Sequence, residues 1–361
     1  PAGVIASLIP TTNPALTPPG TAVNALKCKD AVIFSPHPRA KKTTFETVRV
    51  MRETLAKLGA PADLLQCVEK PSIPLTNELM SICDLTMATG GQPMVRAAYS
   101  SGKPAYGVGA GNSTIVIDET AKVEEAARNT RISKTSDFGS GCSADGNIVI
   151  ASAIYDSMEK QLQEEGGYLC NDAEKALLEK ALWDNEGHRT INTVAVPAPR
   201  IAEIAGFEVP ADTKFLMVDQ QDIGPAHRFS SEKLCVVMAL YKFEDFDQAL
   251  QMVHDIYEVG GKGHSCGIYS FNDDHIDALA RVAPVSRMMV RQPQSKANAG
   301  SFDNGMPMTS SLGCGIWGGN ITNENVNLKH YMNVTWVSRP IPEDRPSEQE
   351  LFGEFYGTEA L

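Results

Sequence analysis

Several hallmarks of membrane, secreted and nucleic-acid-binding proteins are missing from this sequence. It has no apolar run long enough to cross a bilayer and no cationic, apolar leader of the kind that begins a signal peptide. Its net charge of −12 is opposite in sign to the surfaces that bind phosphate backbones. We therefore expect a cytoplasmic protein with neither a membrane nor a nucleic acid as partner. A small anionic ligand is still allowed, because a pocket can be locally positive.

Cysteine is sparse and scattered. The eight cysteines form no CxxC pair and no dense framework, so we expect reduced thiols and not a disulfide scaffold. No spacing of His and Cys matches a metal site, and we expect no metal. Fixed-period repeats and low-complexity tracts are also lacking. The apolar content of 42% and charged content of 21% are those of an ordinary soluble globular protein.

Short β-branched runs alternate with helical stretches along the chain. Strands are predicted at residues 4–9, 31–34, 84–88, 105–108, 114–118, 147–151, 193–196, 214–218, 236–240 and 267–270. Helices are predicted at residues 43–58, 92–100, 120–133, 154–165, 173–182 and 246–259. This alternation predicts an α/β fold with parallel sheets, whose ligands bind at the carboxyl ends of the strands. One ligand crevice is expected across the turns at residues 10–14, 35–39, 89–92 and 107–112.

Cys142 and His264 are the candidates for covalent and acid–base chemistry. Cys142 follows the glycine-rich turn at residues 138–141, where the backbone can approach a ligand closely. For a lone cysteine, a small buried residue in a turn is the commoner role. His264 lies in the glycine-rich segment 260–266, the most catalytic setting of any histidine here. A lone histidine is more often structural than a base.

Asn13, Gly90 and Gly91 are candidates for binding. Asn13 follows the first predicted strand, where a side-chain amide can donate to a developing oxyanion. A turn-forming Asn before Pro is the alternative. Gly90 and Gly91 precede a predicted helix, as suits a pyrophosphate at a helix N-terminus, with a tight turn as the alternative. Residues 107–111 give only a weak phosphate-loop signal, because they do not follow the first strand of a βαβ unit.

Taken together, these motifs resemble the aldehyde dehydrogenase family in its coenzyme A-acylating branch. The matching segments follow the family's order and spacing, and they are residues 10–14, 35–41, 88–91, 98–104, 107–112, 142, 231–234 and 313–320. The resemblance implies a Rossmann-like cofactor domain plus an α/β catalytic domain. It also implies use of NAD or NADP, with coenzyme A as cosubstrate.

The resemblance assigns roles to individual residues. Cys142 matches the nucleophile, Asn13 the oxyanion-hole amide and Glu232 the carboxylate that holds the nicotinamide ribose, while His264 is our candidate for a transient base. His37 stands where hydrolytic relatives carry a lysine. The cofactor-binding residues implied in this way are Thr11, Pro36, His37, Gly90, Gly91, Gly109 and Glu232.

The expected reaction class depends on one missing carboxylate. Hydrolytic relatives carry a glutamate general base in the segment that matches residues 107–112, where this chain has no carboxylate and Val108 falls at about that position. A thioester on Cys142 should therefore persist until the coenzyme A thiol, a good nucleophile as thiolate, takes the acyl group. The two rival interpretations are a hydrolytic aldehyde dehydrogenase that releases a free acid and a non-catalytic assembly fragment.

The substrate and the cofactor are less well determined. Residues 223–227, 301–305 and 346–353 are similar to acylating sulfoacetaldehyde dehydrogenases, and the acetaldehyde dehydrogenase portion of bifunctional alcohol/aldehyde dehydrogenases is nearly as similar. We expect sulfoacetaldehyde or acetaldehyde as substrate. Candidate partners of a sulfonate are Arg287, Arg291 and Lys296, with a solvated surface charge as the commoner role of each. Candidate partners of an NADP 2′-phosphate are Arg39, Lys41 and Lys42, although NAD-using relatives have similar residues.

The resemblance also divides the chain. We expect residues 1–135 to belong to the cofactor-binding domain, with the N-terminal part of the family fold apparently missing. Residues 136–325 are expected to form the catalytic domain, and residues 326–361 a tail that contributes to an inter-subunit sheet or extends over a neighbouring subunit. A homodimer or homotetramer is the expected assembly.

Overall fold

A computed structural model describes residues 1–357 and contains two parallel sheets. The first sheet has five strands in the order β3-β2-β1-β4-β5. Its strands are β1 (Val4–Ile9), β2 (Ala31–Pro36), β3 (Leu65–Cys67), β4 (Leu85–Thr89) and β5 (Ala105–Val108). The register pairs Val4 with Ala31 and Ile5 with Leu85. The order turns back at β1, so a crevice is expected beyond the carboxyl ends of β1 and β4.

Four helices connect and flank these strands. They are α1 (Thr17–Lys27), α2 (Lys41–Lys57), α3 (Ile73–Ile82) and α4 (Gln92–Tyr99). Prolines lie in the first turns of α1, α3 and α4, where the missing N–H has no partner to lose. The core between the helices and the sheet is apolar, with Ile5, Val32 and Phe34 fully buried.

The second sheet has seven strands in the order β12-β11-β6-β7-β10-β9-β8, again all parallel. Its strands are β6 (Thr114–Ile117), β7 (Asn147–Ala151), β8 (Gly167–Leu169), β9 (Phe215–Asp219), β10 (Val237–Phe243), β11 (Cys266–Tyr269) and β12 (Met288–Val290). The central strands β6, β7 and β10 are runs of Val, Ile and other apolar residues buried on both faces, as a covered parallel sheet requires.

Most of the remaining helices belong to this second sheet. They are α5 (Val123–Thr135), α6 (Tyr155–Glu164), α7 (Asp172–Leu182), α8 (Ala198–Ala205), α9 (Phe246–Val259), α10 (Asp273–Val282) and α11 (Gln294–Ala297), and a short α12 (Glu348–Phe352) lies in the tail. Local sequence fixes where several of them start. Asn171 and Glu174 form a capping box at α7, and the Asp245 carboxylate accepts the Gln248 N–H at α9.

The prediction of an α/β fold with parallel sheets is confirmed, and most predicted elements occur within a few residues of their expected bounds. The strand predicted at residues 193–196 is wrong. The chain there forms a single 3₁₀ turn, Ile191–Thr193, and Ala195 has a positive φ of 56° that an extended strand cannot contain. Strands β3, β8 and β12 were not predicted, because each is only three residues long and shows no period; all three lie at sheet edges.

The chain passes from one sheet to the other between Val108 and Thr114. Strand β6 pairs with β7 and β11, and α5 packs on α6, so both elements lie with the second sheet. The chain therefore enters the second sheet earlier than the boundary expected near residue 135. In the sequence, β6 resembles one more strand of the first unit. The assignment of functions to the two units is still a prediction.

The tail starts in the core of the first sheet, where Val326 and Tyr331 are buried, and the described residues after Met332 are exposed. Residues 333–347 contain no helix or strand, and large apolar side chains are exposed there, with Trp336 92% accessible. The predicted inter-subunit sheet is not tested by a single chain. Residues 358–361 of the predicted tail lie outside the described residues. None of the helices described is both long and apolar enough to span a membrane.

Candidate active site

A cavity of about 230 Å³ lies where the turns after β1, β4 and β5 meet the second sheet. The turns contribute Pro10, Thr11, Thr12, Asn13, Thr89, Gly90, Gly91, Val108, Gly109 and Ala110. The rest of the lining is Thr17, Ser140, Cys142, Glu232, Leu234, Ser310 and Leu312. Three of the four turns expected to form a crevice therefore converge on one cavity, together with Cys142.

Cys142 reaches this cavity because the backbone before it is sharply folded. Asp137, Phe138 and Gly139 all have positive φ values, of 48°, 51° and 71°. The chain also passes very close to Gly111, where an added Cβ would overlap the Cys142 carbonyl oxygen. Only glycine fits at position 111, so the glycine-rich segment that was a weak phosphate-loop signal has a packing role beside Cys142.

His264 lies directly behind Cys142. Its Nε2 is 3.0 Å from the Cys142 Sγ, its Nδ1 is 2.9 Å from the Ser265 Oγ, and its side chain is fully buried. Burial, with the nearby Arg287 guanidinium, lowers the pKa of His264 to about 3. Burial first, and then the Glu232 carboxylate, raise the pKa of Cys142 to about 12. At neutral pH the resting pair is therefore a thiol and a neutral imidazole.

Asn13 and Glu232 line the same cavity as Cys142. The Asn13 carbonyl accepts the Thr17 N–H and so ties the turn to the start of α1. Glu232 Oε1 accepts the Gly111 N–H at 3.1 Å. Burial raises the pKa of Glu232 to about 7, although the Gly111 N–H and nearby cations favour its charged form.

A second cavity, of about 420 Å³, adjoins the first and shares Pro10, Thr11, Thr89, Gly90 and Gly91 with it. It is mostly apolar, and its lining includes Pro36 and His37. Burial, with the adjacent Arg39, lowers the pKa of His37. The structure thus brings all the predicted cofactor residues to two joined cavities: Thr11, Pro36, His37, Gly90 and Gly91 line the second, while Gly109 and Glu232 line the first.

The two cavities share the turn after β4, so one ligand can extend from the first into the second. Gly90 and Gly91 lie between them at the N-terminus of α4, which has no acidic residue in its first turn. A Cβ added to either glycine would come no closer than 3.7 Å to another protein atom. Neither glycine has a positive φ, so packing and backbone strain do not explain this pair. The two glycines leave the backbone open to the cavities at this point, and their phosphate-binding role stays a prediction.

The three cations considered as sulfonate partners are not brought to the cavity. The Arg287 guanidinium is buried and donates to the backbone carbonyls of His264, Gly313 and Asn323. Arg291 donates to the Ser270 carbonyl and lies over the Phe271 ring, and Lys296 donates to the Ser136 hydroxyl. Among the described residues, no Lys or Arg lines the cavity next to Cys142.

A possible metal-binding group lies elsewhere in the described chain. Ligand atoms of Asp118, Glu119 and His275 lie within 4.8 Å of one another. Hydrogen bonds already account for this cluster. Asp118 accepts from the Thr120 N–H and hydroxyl and contacts His275 Nδ1 at 2.8 Å. The expectation of no metal site stays a prediction.

Sequence comparison first gives the class of protein that this fold and site define. The sequence profile of the Aldehyde dehydrogenase family matches residues 1–169. The sulfoacetaldehyde dehydrogenase of an Acholeplasma species is 44% identical to this chain, over 98% of the chain and 74% of the relative. The chain belongs to the aldehyde dehydrogenase family.

The relatives then narrow the class to one branch. An acylating sulfoacetaldehyde dehydrogenase from Bilophila wadsworthia is 39% identical over 99% of this chain and 78% of its own length. The bifunctional aldehyde-alcohol dehydrogenase of Escherichia coli is 37% identical over 94% of this chain and 39% of its own. The chain is an acylating aldehyde dehydrogenase, and hence an oxidoreductase, as its motifs predicted.

Solved structures agree with this placement. The acetylating aldehyde dehydrogenase from Geobacillus thermoglucosidasius superposes with a TM-score of 0.91 at 36% identity, over 95% of this chain and 77% of that one. A propionaldehyde dehydrogenase from Rhodopseudomonas palustris with bound propionyl-CoA superposes with a TM-score of 0.83 at 28% identity, over 92% of this chain and 72% of that one.

Proposed function

We propose that this chain oxidises a short-chain aldehyde to its acyl-coenzyme A through a thioester on Cys142, using NAD or NADP. The observation that carries the proposal is the 3.0 Å contact between Cys142 Sγ and His264 Nε2 in a cavity that Asn13 also lines. Nucleophile, base and oxyanion donor are thus in one place. These are the parts that covalent attack on a carbonyl needs.

The first step is activation of the thiol. At rest Cys142 is protonated and His264 is neutral, so the attack needs transfer of the Sγ proton to Nε2. The thiolate then forms a bond to the aldehyde carbon. The Asn13 amide and the Cys142 N–H donate to the oxygen, which gains the charge. A bound nicotinamide would accept the hydride, and the protein residues keep the resulting acyl group on Sγ.

The second step is transfer of the acyl group to the coenzyme A thiol. Val108, at about the position of the hydrolytic glutamate, lines the cavity with a side chain that cannot activate water. The thioester is therefore left for a stronger nucleophile than water. Before this step His264 must release the first proton to solvent, and it can then accept the proton of the coenzyme A thiol. Thiolysis forms the coenzyme A thioester as it breaks the one on Cys142, and the departing Cys142 thiolate takes that proton back from His264.

The position and the raised pKa of Glu232 favour the alternative function, a hydrolytic aldehyde dehydrogenase. Glu232 lines the same cavity, and a carboxyl with a pKa of about 7 suits a general base. Two features oppose that role: Oε1 is held by the Gly111 N–H, and Glu232 matches the ribose-holding carboxylate of the family. Steady-state turnover with and without coenzyme A tests the alternative. Full turnover without coenzyme A would make the protein a hydrolytic enzyme.

For the aldehyde, we propose sulfoacetaldehyde, with acetaldehyde as the close second. The names of the 44% and 39% identical relatives support the first, and the bifunctional enzyme supports the second. Since no Lys or Arg of residues 1–357 lines the cavity, the sulfonate would be held by hydroxyl donors. The Thr17 hydroxyl is buried at the cavity wall without a hydrogen-bond partner, so its proton is free to donate.

NAD and NADP are both retained as cofactors, and an engineered glycolyl-CoA reductase with a similar fold binds NADP+. Arg39, Lys41 and Lys42 follow β2 and are exposed beside the cavity that His37 lines. The decisive experiment is turnover of acetaldehyde and sulfoacetaldehyde with coenzyme A and each cofactor. Acyl-coenzyme A formed in step with reduced cofactor is the expected result. No turnover with any combination would favour the assembly-fragment interpretation.

A further inference from the structure

We infer that Ser265 is a positioning residue that holds His264 in the tautomer with its proton on Nδ1, leaving the Nε2 lone pair directed at Cys142. The inference rests on the proposed function in one respect, since it takes His264 to be the base for Cys142. It assigns Ser265 a task that neither its motif nor the family resemblance provides.

The geometry is a buried chain of four side chains. Cys142 Sγ is 3.0 Å from His264 Nε2, His264 Nδ1 is 2.9 Å from Ser265 Oγ, and Ser265 Oγ is 3.4 Å from Ser113 Oγ. Ser113, His264 and Ser265 are all buried. The Tyr257 hydroxyl donates to the Ser265 carbonyl at 2.6 Å and fixes the backbone from which the serine side chain extends.

The tautomer follows from the quality of the hydrogen bonds. A neutral imidazole has one N–H and one lone pair, and it places the proton where the better partner is. A thiol sulfur is a weak acceptor, whereas the Ser265 hydroxyl oxygen is a good one. Because Ser113 Oγ can receive the Ser265 proton, the Ser265 lone pair is available to His264 Nδ1–H. The proton then lies on Nδ1, and Nε2 is free to accept.

The same contact matters after proton transfer. When the Sγ proton moves to Nε2, Cys142 becomes a thiolate and His264 an imidazolium with two N–H groups. Nε2–H then faces the thiolate and Nδ1–H donates to Ser265 Oγ. Burial and Arg287 oppose the imidazolium, so a satisfied Nδ1–H is needed to offset them. The other charged or titratable groups facing the pair are Glu232 and Cys314.

The test uses alkylation of Cys142 by iodoacetamide, followed by peptide mass spectrometry across pH. It requires neither aldehyde nor coenzyme A. We expect Ser265→Ala to slow alkylation at pH 7 by roughly tenfold, because one buried hydrogen bond is lost. The pH dependence of alkylation should also shift to higher pH. Ser270→Ala is the matched control, because Ser270 is equally buried at the other end of β11 and its hydroxyl bonds, among the described residues, to Asn272 and Thr120. Its profile should coincide with that of the parent.

A double-mutant cycle separates positioning from general structural support. His264→Ala should slow alkylation, and adding Ser265→Ala to it should cause no further change, because Ser265 acts only through His264. If Ser265→Ala slows alkylation by the same factor in both backgrounds, or leaves the parent profile unchanged, the inference is wrong.

Ser113→Ala keeps the inference testable if Ser265→Ala does not fold. Without Ser113 the Ser265 hydroxyl is free to donate to Nδ1, which moves the imidazole proton to Nε2, so alkylation should again slow. A Ser113→Ala profile equal to the parent's would overturn the inference. Absence of acyl-coenzyme A with the parent protein would instead overturn the proposed function, and the alkylation result would stand.

Discussion

The two sheets contribute to the site in opposite ways. The first sheet supplies turns of Pro, Thr and Gly, whose backbone lines two joined cavities. The second sheet and the loops next to it supply side chains with shifted pKa values, among them the buried His264 and the half-buried Cys142 and Glu232. A binding surface formed by backbone atoms should tolerate side-chain substitutions. Catalysis by particular side chains should not, because each substitution removes a reacting or activating group. Substitutions on the two sides should therefore differ in size and in kind.

The largest effect is expected at Cys142. Cys142→Ala removes the atom that carries the acyl group, so acyl-coenzyme A formation should fall by at least about 10³-fold, measured by the rate of coupled cofactor reduction. Cys67→Ala is the control, since Cys67 is also a partly exposed thiol but lies on the first sheet. Acyl transfer at the parent rate in Cys142→Ala would contradict the mechanism.

Asn13 is the exception among the residues of the first sheet's turns, because we assign its side-chain amide to stabilisation of the oxyanion. Asn13→Ala should lower kcat by about 10²–10³-fold through loss of one oxyanion donor, with little change in the KM for cofactor. Asn24→Ala, in α1 and bonded only to the Gly20 carbonyl, should behave as the parent. A change in KM alone would show that Asn13 binds substrate without stabilising the oxyanion.

Gly111 lies in the segment that connects the two sheets and packs against the backbone of Cys142. Gly111→Ala places a Cβ against the Cys142 carbonyl, so the nucleophile must shift and kcat should fall by about 10²-fold. In Gly141→Ala the added Cβ meets no protein atom within 4 Å, and activity should stay close to that of the parent. Equal activity of the two variants would show that the loop relaxes without displacing Cys142.

Asp145 tests the buried charges of the second sheet through pH. Burial raises the pKa of Asp145 to about 7, so the folded protein keeps the proton that the unfolded chain loses near pH 4. The folded state then binds more protons, and stability falls as pH rises from about 4 to 7. Asp145→Asn should flatten this slope, by about 4 kcal/mol over the interval, in urea unfolding across pH. An unchanged slope would mean that Asp145 ionises normally.

The smallest effect is expected at Thr17. Thr17→Val removes a hydroxyl without a partner and keeps the side-chain volume, so the KM for sulfoacetaldehyde should rise about fivefold, and more than the KM for acetaldehyde, in steady-state assays. An equal change for both aldehydes would remove Thr17 from sulfonate recognition.

The sequence predicted the parallel α/β architecture because buried strands such as β7 and β10 are long, apolar and separated by periodic helices. It also identified Cys142 and His264 separately. It also made His264 the candidate base for Cys142, but it could not give the distance between them. The two residues are 122 positions apart in the sequence, and their contact depends on how the turn at 137–139 folds. Ser265 was missed, although its position next to His264 was a usable signal. Arg287 was considered as a sulfonate partner, but its guanidinium is buried and donates to backbone carbonyls. The sequence around a single arginine does not reveal such distant partners.

The exposed tail has an optical consequence. Of the three tryptophans, Trp183 is 3% exposed, Trp317 50% and Trp336 92%, so the long-wavelength part of the emission comes mainly from the tail. Any surface that covers residues 333–347 will move that emission toward shorter wavelengths. Fluorescence measured across protein concentration therefore reports directly on self-association, without a label and without substrate.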